Sequence, residues 1–455
     1  MYIPVSKLLA SDRSGAAAVA RIARQDVTFA EFKAEVADLR ARIKKRGVTQ
    51  VVLATESSYA FATGMLAAFD AGCRVTVPPN ALPGMLARFV TPECPLLSDI
   101  KDEAHSDDHI LIDGAKAAEA SFRELDPDAC SLDFYTSGST GEPKRVPKSL
   151  AQIENELTVL DQVFGARLGA AATLGTVSHQ HIFGLYFKCL LPLSEGRLFF
   201  PETFEIWEEL LAFAPPGACI VSSPAHLTRI PPLDPLPTSA QAPVIFTAGG
   251  PLPFEAAQTS AWMFGPLPTE IYGSTETGGI AHRQQERATT PFRPLPGMET
   301  RVDEQGSLWV KSNYTDNGDW DKTNDIAELF PDGSFLLAGR ANQFVKIEGK
   351  RISLAEIEKF LTASDLVKDA AVLVLTSPRD TLAAVAELTE EGWRRHAEIG
   401  AFRLGRFLRK ELSPNLENAA LPRRWRFVDR LPVNSQGKRQ QTALHELFAG
   451  GEGAD

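Results

Sequence analysis

Residues Tyr135–Lys148 read YTSGSTGEPKRVPK and form the most informative stretch of this chain. A loop of glycines, hydroxyl side chains and a lysine offers backbone N–H groups, hydroxyl donors and a cation, which are the groups that polyphosphate oxygens bind. Leu132, Phe134 and Thr136 alternate as in a strand, and apolar residues recur at helical spacing from Leu150 onward. The pattern predicts a strand, a phosphate-binding loop and a helix.

The loop is not a Walker loop, in which lysine directly follows the last glycine. Here Glu142 and Pro143 separate Gly141 from Lys144. An exposed polar turn is the alternative interpretation, because Gly, Ser, Thr and Pro are common turn residues. The order of the residues favours a nucleotide site: YTSGSTGEPK closely resembles the nucleotide-binding signature of the adenylate-forming superfamily, which includes acyl- and aryl-CoA synthetases, peptide-synthetase adenylation domains and luciferases.

Three further segments resemble the same superfamily in the expected order. Residues 178–185, SHQHIFGL, match its His-x-x-Gly motif through His181, whereas His179 is interpreted as a structural hydrogen-bonding residue. Residues 244–253, VIFTAGGPLP, indicate a buried strand that ends at a glycine pair, where a flat ligand can approach the backbone. Residues 271–278, IYGSTETG, resemble the Tyr-Gly-x-Thr-Glu motif.

The resemblance continues toward the carboxyl terminus. Residues 319–327 resemble the Thr-Gly-Asp segment, with Asn324 in place of the usual glycine; asparagine also tolerates a left-handed backbone. Residues 339–352 resemble the segment that joins the large and small domains. Residues 431–439 resemble the terminal Gly-Lys motif, although 434–436 depart from the commoner Thr-x-Ser pattern. The matches occur in the superfamily's order, which makes chance a poor explanation.

The resemblance assigns roles to individual residues. The implied nucleotide-binding residues are Thr136, Ser137, Gly138, Ser139, Thr140, Gly141, Lys144, Gly249, Gly250, Tyr272, Asp325 and Arg340. The implied catalytic residues are His181, Thr275, Glu276 and Lys438, with Glu276 also as the magnesium ligand. Asn342 stands at the hinge position, where Asp or Lys is usual, and Gly349 stands where a pantetheine arm passes close to the backbone.

These roles imply a two-step reaction. A carboxylate is a poor acyl donor, so it would first attack the α-phosphate of ATP to give an acyl-adenylate and pyrophosphate. Two anions must meet in that step, and magnesium at Glu276 together with Lys438 would supply the cations. Tyr272 would stack on adenine and Asp325 would hold the ribose. A lid rotation near Asn342 would then remove Lys438 and admit a pantetheine thiol, giving a thioester and AMP.

The length of 455 residues suggests about two to three domain-sized units. The expected fold is α/β, with a large multi-layer α/β adenylating domain at residues 1–340 and a small mobile α+β C-terminal lid domain at residues 341–455. Repeated strand-then-helix patterns agree with helices packed on sheets. In the second domain, 372–375 and 382–388 read as strands, and 393–412 as an amphipathic basic helix.

The overall composition limits the possible partners. Lys and Arg number 47 against 58 Asp and Glu, a formal net charge of −11, which argues against a general nucleic-acid role. The five cysteines show no Cys-x-x-Cys pair and are expected to be reduced, as in a cytoplasmic protein. No apolar run approaches the roughly 20 residues of a membrane span, and no signal-peptide pattern is found. Stable membrane insertion is therefore not expected.

One region has the opposite charge. From Arg394 to Arg439 there are twelve Lys or Arg against four Asp or Glu. One interpretation is a solvated face whose arginine stems cover apolar surface and form internal pairs. The other is a docking surface for something acidic, either the phosphates of coenzyme A or an acyl carrier protein. We favour the carrier protein, and free coenzyme A remains the alternative.

The acid itself is indicated only by a finer resemblance. The compact chain and YGSTETGGIA resemble ligases of aryl-polyene and xanthomonadin-type pathways, which implies a hydroxybenzoate-like acid. The acid is expected between the His181 segment, the Gly249 strand end and the residues after Glu276, where Gly278, Gly279 and Ala281 are small and would leave room. A fatty-acid-specific ligase and a non-catalytic nucleotide-binding relative are the alternatives. The presence of Glu276, Asp325, Arg340 and Lys438 argues against the second of them.

Overall fold

The computed structural model describes residues 2–101, 108–119, 121–137, 143–232, 235, 242–315, 319–340, 344–347, 350–375, 381–414, 416, 418–433 and 439–449. The strands are β1 (Ala18–Ile22), β2 (Gln25–Thr28), β3 (Gln50–Leu53), β4 (Arg74–Val77), β5 (Leu96–Ser98), β6 (His109–Leu111), β7 (Ser131–Ser137), β8 (Pro143–Ser149), β9 (Thr173–Gly175), β10 (Phe199–Thr203), β11 (Cys219–Ser222), β12 (Val244–Thr247), β13 (Thr269–Ser274), β14 (Gly278–Arg283), β15 (Arg293–Pro294), β16 (Glu299–Val302), β17 (Ser307–Lys311), β18 (Asp321–Leu329), β19 (Phe335–Arg340), β20 (Phe344–Ile347), β21 (Lys350–Ser353), β22 (Val367–Leu375), β23 (Thr381–Leu388) and β24 (Arg424–Val428).

The α-helices lie between these strands. They are α1 (Val5–Leu8), α2 (Phe29–Arg46), α3 (Ser58–Asp70), α4 (Pro83–Leu86), α5 (Leu150–Leu160), α6 (Ala166–Leu168), α7 (Ile182–Gly184), α8 (Leu191–Glu195), α9 (Trp207–Phe213), α10 (Pro224–Leu227), α11 (Phe254–Phe264), α12 (Leu354–Thr362), α13 (Glu390–Leu412) and α14 (Gln441–Ala449). Residues Asp161–Gly165 and Leu185–Leu190 form π-helical turns.

The largest sheet has the strand order β15-β14-β13-β12-β11-β9-β10-β1-β2. Strands β10, β9, β11, β12 and β13 run parallel to one another, and antiparallel strands lie at both edges. Because parallel strands end on the same side, the segments that follow β9, β11, β12 and β13 meet at one edge of this sheet.

A second sheet, β6-β5-β3-β4-β7-β8, faces the first across a buried helix. Helix α3 is apolar on nearly all sides, and its residues from Ser58 to Phe69 are buried. It contacts β3, β4 and β5 of this sheet and β10 of the other. A helix that is hydrophobic all round must be buried on all sides, so α3 fills the space between the two sheets.

The predicted order of strand, loop and helix is wrong in one respect. After the loop the chain forms another strand, β8, which pairs antiparallel with β7, and α5 begins only at Leu150. Ser149 caps α5 through a reciprocal pair of hydrogen bonds with Gln152. The strand was hidden in the sequence because β8 lies at the edge of its sheet, where Val146 and Lys148 are buried and the residues around them are mostly exposed.

The chain beyond β15 forms smaller antiparallel sheets. Strands β16 to β19 pair in sequence, β20 pairs with β21, and β22-β23-β24 form a sheet covered by α12, α13 and α14. The predicted strands are confirmed as β22 and β23, and the predicted basic helix is α13, with a kink at Gly400 where φ is +78°. In the described part of the chain, the hydrophobic clusters built on α12, α13 and α14 have no buried member before Ile352.

Across the described ranges, no helix combines the length and the apolar character that crossing a membrane requires.

Candidate functional site

Three of the segments predicted from the sequence follow parallel strands of the largest sheet, of which β12 and β13 are neighbours and β9 is separated from β12 by β11. His181 lies after β9, Gly249 and Gly250 follow β12, and Glu276 follows β13. In open α/β sheets, ligands bind outside the carboxyl ends of the strands. Gly249 has a φ of +95° and a side chain there would meet nothing within 4 Å, so the backbone is open at this edge. The structure therefore brings these segments to one candidate site.

Tyr272, at the end of β13, links the site to the β18–β19 hairpin. Its hydroxyl donates a hydrogen bond of 2.6 Å to Oδ2 of Asp325 in β18. The ring packs against Phe292 and Phe335, with centroids 5.6 and 5.7 Å away. Asp325 stands opposite Arg340 in the β18–β19 ladder. Three predicted nucleotide-binding residues are thus linked, because Tyr272 is hydrogen-bonded to Asp325 and Asp325 is paired with Arg340 in the ladder.

Lys144 joins the β7–β8 hairpin to the turn after β13. Its Nζ lies 3.0 Å from Oε1 of Glu276. On the neighbouring strand, the Thr136 hydroxyl donates to the carbonyl of Lys144 at 3.5 Å. Ser137 is paired with Pro143 in the ladder, so the two ends of the intervening loop are adjacent. Both sides of the predicted phosphate site therefore converge on Glu276.

The electrostatic environment keeps Glu276 ionised. Partial burial alone would raise the pKa of its carboxyl. Hydrogen bonds from Lys144, from its own N–H and from the Ser274 hydroxyl, together with the positive charge of Lys144, outweigh this effect and lower the pKa below its usual value. The Glu276 side chain is 44% exposed. The carboxylate is therefore charged at neutral pH and accessible from solvent, as a ligand for a hard cation must be.

Three buried residues that the sequence analysis did not identify form hydrogen bonds with the backbone of the turn after β13. Lys148 Nζ donates to the carbonyl of Glu276 at 2.5 Å and to that of Tyr314 at 3.4 Å. The Gly279 N–H donates to Oε1 of Glu156 at 2.6 Å, and the Tyr314 hydroxyl donates to the Gly279 carbonyl at 2.9 Å. The sequence did contain a signal, since Glu156 interrupts the apolar stripe of α5 between Ile153 and Leu160.

This arrangement corrects one part of the predicted acid site, the space expected beside the small residues after Glu276. Glycines 278 and 279 do not leave space for a substrate, because a Cβ on Gly278 would lie 2.3 Å from Oε2 of Glu156 and one on Gly279 would lie 3.1 Å from Oε1. Ala281 is fully buried in a hydrophobic cluster with Tyr314. The small residues after Glu276 accommodate protein atoms.

Burial makes Glu156 a source of pH-dependent stability. It raises the pKa of the carboxyl to about 7, although the Gly279 N–H and Lys148 oppose the shift. The ionisable groups near Glu156 are Lys148, Tyr186 and Tyr314. Because the folded protein holds this proton more tightly than the unfolded chain, the stabilisation is complete below about pH 4.5 and is lost as the pH rises through about 7.

We therefore expect Glu156→Gln to gain stability relative to the unaltered protein as the pH rises. From pH 5 to pH 8 the difference in the free energy of unfolding should shift by about 2.5 kcal/mol in favour of the variant, because the amide never ionises. Urea denaturation at both pH values measures it. Glu154→Gln is the matched control, since Glu154 lies on the same helix and accepts a hydrogen bond from the Ser6 N–H. A difference in the free energy of unfolding that does not change with pH, or the same change in the Glu154→Gln control, would contradict the expectation.

The His-x-x-Gly segment forms a tight turn at the start of α7. Gly184 is required there, because a Cβ would lie 2.1 Å from the carbonyl oxygen of Ser178. His181 is half-buried and directly precedes α7. His179 is buried and its Nε2 lies 3.0 Å from the Thr55 hydroxyl. Burial lowers the pKa of His179 to about 3, so it stays neutral, in agreement with its expected structural role.

A buried lysine fixes the same segment and was also missed. Lys188 donates to the carbonyls of Val177 and Glu202, at 3.1 and 3.0 Å, and to the Thr203 hydroxyl at 2.8 Å. Burial lowers its pKa to about 7. Lys188 stands inside the apolar run LYFKCLL, and this position in the sequence indicates a buried lysine that needs hydrogen-bond partners.

Several predicted site residues lie outside the described residues. They are Gly138, Ser139, Thr140 and Gly141 of the loop, Asn342 at the hinge position, Gly349 at the thiol-arm position and the catalytic candidate Lys438.

The fold and the converging segments define an adenylate-forming enzyme. The family of AMP-binding enzymes matches residues 10–315, and the chain belongs to this family. It is 30% identical over 307 residues to a 4-coumarate–CoA ligase of Cereibacter sphaeroides, covering 67% of this chain and 69% of the relative. It is 25% identical over 395 residues to a 4-chlorobenzoate–CoA ligase of an Arthrobacter species, covering 76% and 71%.

Solved structures share the fold over nearly the whole chain. The O-succinylbenzoate coenzyme A synthetase of Bacillus subtilis, in complex with AMP, superimposes with a TM-score of 0.78 at 19% identity and covers 98% of each chain. The ATP-bound MatB of Rhodopseudomonas palustris gives a TM-score of 0.77 at 21% identity and covers 99% of each chain. The predicted superfamily and α/β fold class are confirmed.

The chain is therefore an AMP-forming acid–thiol ligase, which uses ATP to adenylate a carboxylic acid. The predicted enzyme class is confirmed, whereas the roles of individual residues stay predictions.

Proposed function

We propose that this enzyme adenylates an aromatic, hydroxybenzoate-like acid and transfers the acyl group to the phosphopantetheine thiol of an acyl carrier protein. The observation that carries the proposal is the convergence of the Tyr272–Asp325 pair and the Lys144–Glu276 pair around one turn. We further propose two domains, residues 1–340 and 341–455, with Asn342 as the hinge.

The two pairs suit opposite ends of ATP. Tyr272 offers a half-buried ring for adenine. In this proposal Asp325 and Arg340, which are paired in the β18–β19 ladder, bind the ribose hydroxyls. Lys144 is 62% exposed and can turn from Glu276 to a phosphate, because an exposed ion pair contributes little to stability. Thr275 stands in the same turn and would contact the α-phosphate. In this proposal Lys438 bridges the acid and the phosphate during adenylation.

The residues at the turn fit a magnesium ion. Glu276 is an ionised, accessible carboxylate, and the described ranges contain no group of three or more His, Cys, Asp or Glu that could enclose a metal. Magnesium is commonly held in this way, by one or two carboxylates together with substrate phosphates and water. Bound there, it would neutralise phosphate charge as the carboxylate attacks.

Glu276→Gln is expected to raise the magnesium concentration for half-maximal adenylation by about tenfold, because an amide is a poor ligand for a hard cation. The measurement is a magnesium titration of acid-dependent pyrophosphate release at saturating ATP. Glu255→Gln, on α11, is the control for loss of one carboxylate and should leave the titration unchanged. If the two variants titrate alike, Glu276 is not the metal ligand.

An aromatic cluster beside the His181 segment supports an aromatic acid. Phe183 is half-buried and its ring centroid lies 5.0 Å from that of Phe187, which lies 4.9 Å from that of Phe246. Phe164 contacts Phe246 at 4.9 Å and His282 at 5.3 Å. These rings pack in tilted and edge-to-face arrangements, and a flat ring entering next to Phe183 would add one more aromatic contact of this kind. Both relatives described above are named as ligases of aromatic acids.

A basic and aromatic surface on α13 supports the acyl carrier protein. We define the α13 basic face as Phe402, Arg403, Arg406, Phe407 and Lys410, all of which are exposed. The buried residues of this half of the helix, Leu404, Leu408 and Leu412, face the other way. Phe402 is 67% exposed, and its ring contacts the guanidinium of Arg406 at 6.0 Å, so the face presents apolar and positively charged surface side by side. Acidic carrier proteins complement such a face in charge.

Other arginines of this region serve the fold. Arg409 donates to the carbonyls of Leu421 and Pro422, at 2.9 and 3.0 Å, and Arg426 to that of Leu447 at 2.9 Å. Arg439 pairs with Glu358 and Asp369. The interpretation that arginines of this region form internal contacts is therefore correct for Arg409, Arg426 and Arg439. The α13 basic face is the surface that we propose for the partner.

Reversing charge on the α13 basic face should slow carrier loading without affecting adenylation. We expect Arg403→Glu with Arg406→Glu to reduce the rate of holo-carrier loading about tenfold at low salt, since rim charges mainly set the encounter rate. The effect should shrink above about 0.15 M salt, where charges are screened within about 8 Å. Lys44→Glu with Lys45→Glu, on α2, makes the same change in net charge. Equal effects of the two double variants would remove the α13 basic face as a docking surface.

Free coenzyme A is the second candidate acceptor, because the relatives are named as CoA ligases. The decisive experiment measures acid-dependent pyrophosphate release for benzoates, cinnamates and fatty acids, and then thioester formation with holo-carrier and with coenzyme A. The proposal expects hydroxybenzoates to have the highest kcat/KM and carrier to be preferred. Preference for fatty acids would reject the aromatic acid, and preference for coenzyme A would reject the carrier.

A further inference from the structure

The turn that carries Thr275 and Glu276 is held by buried side chains from distant parts of the chain. Lys148 binds the carbonyl of Glu276, Glu156 binds the N–H of Gly279, and Tyr314 binds the carbonyl of Gly279. The exposed fractions of Lys148, Glu156 and Tyr314 are 2%, 4% and 1%. The turn therefore lies on an ionisable framework that solvent does not reach.

A buried framework of ionisable groups contributes little to the stability of the fold, so its presence points to another role. Burying a charged or ionisable group is costly even when it is hydrogen-bonded, and apolar side chains of similar size are often as stable. Here each buried group makes its contact with the backbone of residues 276–279. Those contacts set where the Glu276 side chain and the Thr275 hydroxyl are presented.

The same framework couples the turn to the phosphate loop. Lys144 and Lys148 lie on one face of β8, since alternate residues of a strand share a face. Lys144 reaches the side chain of Glu276 and Lys148 reaches its carbonyl. Strand β8 begins at Pro143, directly after residues 138–142 of the predicted phosphate-binding signature, and α5, which carries Glu156, follows β8. The continuous segment from β8 to α5 therefore carries Lys144, Lys148 and Glu156, which all contact residues 276–279.

We propose that Glu156 and Lys148 are positioning residues that hold the Thr275–Glu276 turn in place for the nucleotide. This proposal rests on the nucleotide site proposed above. Neither residue contacts the reacting atoms; both act through the backbone of the turn. Their loss should weaken ATP binding and leave the KM for the acid nearly unchanged.

The test compares Glu156→Leu with Glu154→Leu in the full-length protein. Both remove a carboxylate of α5 that accepts one backbone hydrogen bond, from Gly279 and from Ser6. Isothermal titration with ATP and magnesium, without acid, gives the Kd, and thermal unfolding gives the stability. We expect Glu156→Leu to raise the Kd about tenfold, the value of one buried hydrogen bond. Glu154→Leu should change the Kd less than about twofold at a similar loss of stability.

Two further variants keep the test decisive if Glu156→Leu does not fold. Glu156→Gln keeps an acceptor oxygen and should restore the Kd to within about threefold of the unaltered protein. Lys148→Met removes the donor to Glu276 and should raise the Kd for ATP without raising the KM for the acid. Equal changes for the residue 154 and residue 156 variants, or no recovery with Glu156→Gln, would overturn the proposal.

A Tyr272→Leu variant separates this proposal from the proposed function. If Tyr272→Leu leaves the Kd for ATP unchanged, the nucleotide site itself is misplaced. If it weakens ATP binding while Glu156→Leu behaves like Glu154→Leu, the nucleotide site is correct and only the positioning role is wrong.

Discussion

Replacement of Lys438 with alanine is expected to lower the rate of adenylation by about 100-fold or more. In the proposed reaction Lys438 neutralises charge where two anions meet, and one such contact to the transition state is worth about 3 kcal/mol. Acid-dependent pyrophosphate release measures this step. Lys359→Ala, at an exposed position of α12, is the control for loss of a lysine in the same part of the chain.

Thioester formation from a supplied acyl-adenylate should be largely spared in the Lys438→Ala variant, because the proposed lid rotation removes this lysine before the thiol attacks. Equal losses in the two half-reactions would show that Lys438 stays at the site and that the lid does not alternate.

Gly278→Ala is expected to destabilise the protein by about 3 kcal/mol or more. A side chain at a φ of +68° costs about 1–2 kcal/mol by itself. The new Cβ would also lie 2.3 Å from Oε2 of Glu156, and that carboxylate cannot withdraw without releasing the Gly279 N–H. Overpacking of a buried site typically adds 1–3 kcal/mol. Urea denaturation gives the free energy of unfolding.

Gly47 provides a matched control for the backbone contribution. It ends α2 with a φ of +73°, and a Cβ there would meet nothing within 4 Å. Gly47→Ala should therefore show only the conformational cost of about 1–2 kcal/mol. In a Glu156→Ala background, Gly278→Ala should be less harmful by about 1 kcal/mol or more, since the two sites are in contact. Equal losses at Gly47 and Gly278, with no coupling to Glu156, would contradict the steric argument.

The sequence predicted those parts of the site that are contiguous in the chain. The glycine pair after β12 was predicted from a buried strand followed by turn residues, which is a local pattern. The Tyr272 turn after β13 was predicted from its resemblance to the Tyr-Gly-x-Thr-Glu motif. The fold class could be predicted for the same reason, since motifs that recur in order fix the succession of elements. Strand β8 was missed because an edge strand with mostly exposed residues has little hydrophobic periodicity.

The contacts across the chain could not be predicted in this way. Gly278 and Gly279 were expected to leave room for the acid, but they make room for Glu156, which is more than a hundred positions away and which nothing local identifies. The same holds for Lys148 and Tyr314, which approach the turn only in the folded protein. A charged residue inside an apolar stripe shows that a partner must exist without showing which one.

The position of both lysines on β8 restricts how the length of this segment can vary. Lys144 and Lys148 reach the same turn because three residues separate them, so an insertion of one residue would direct one of the two lysines to the opposite face of the sheet. An insertion of two would keep the face but move one contact by about 7 Å along the strand. Chains that retain both contacts are thus expected to have this spacing unchanged.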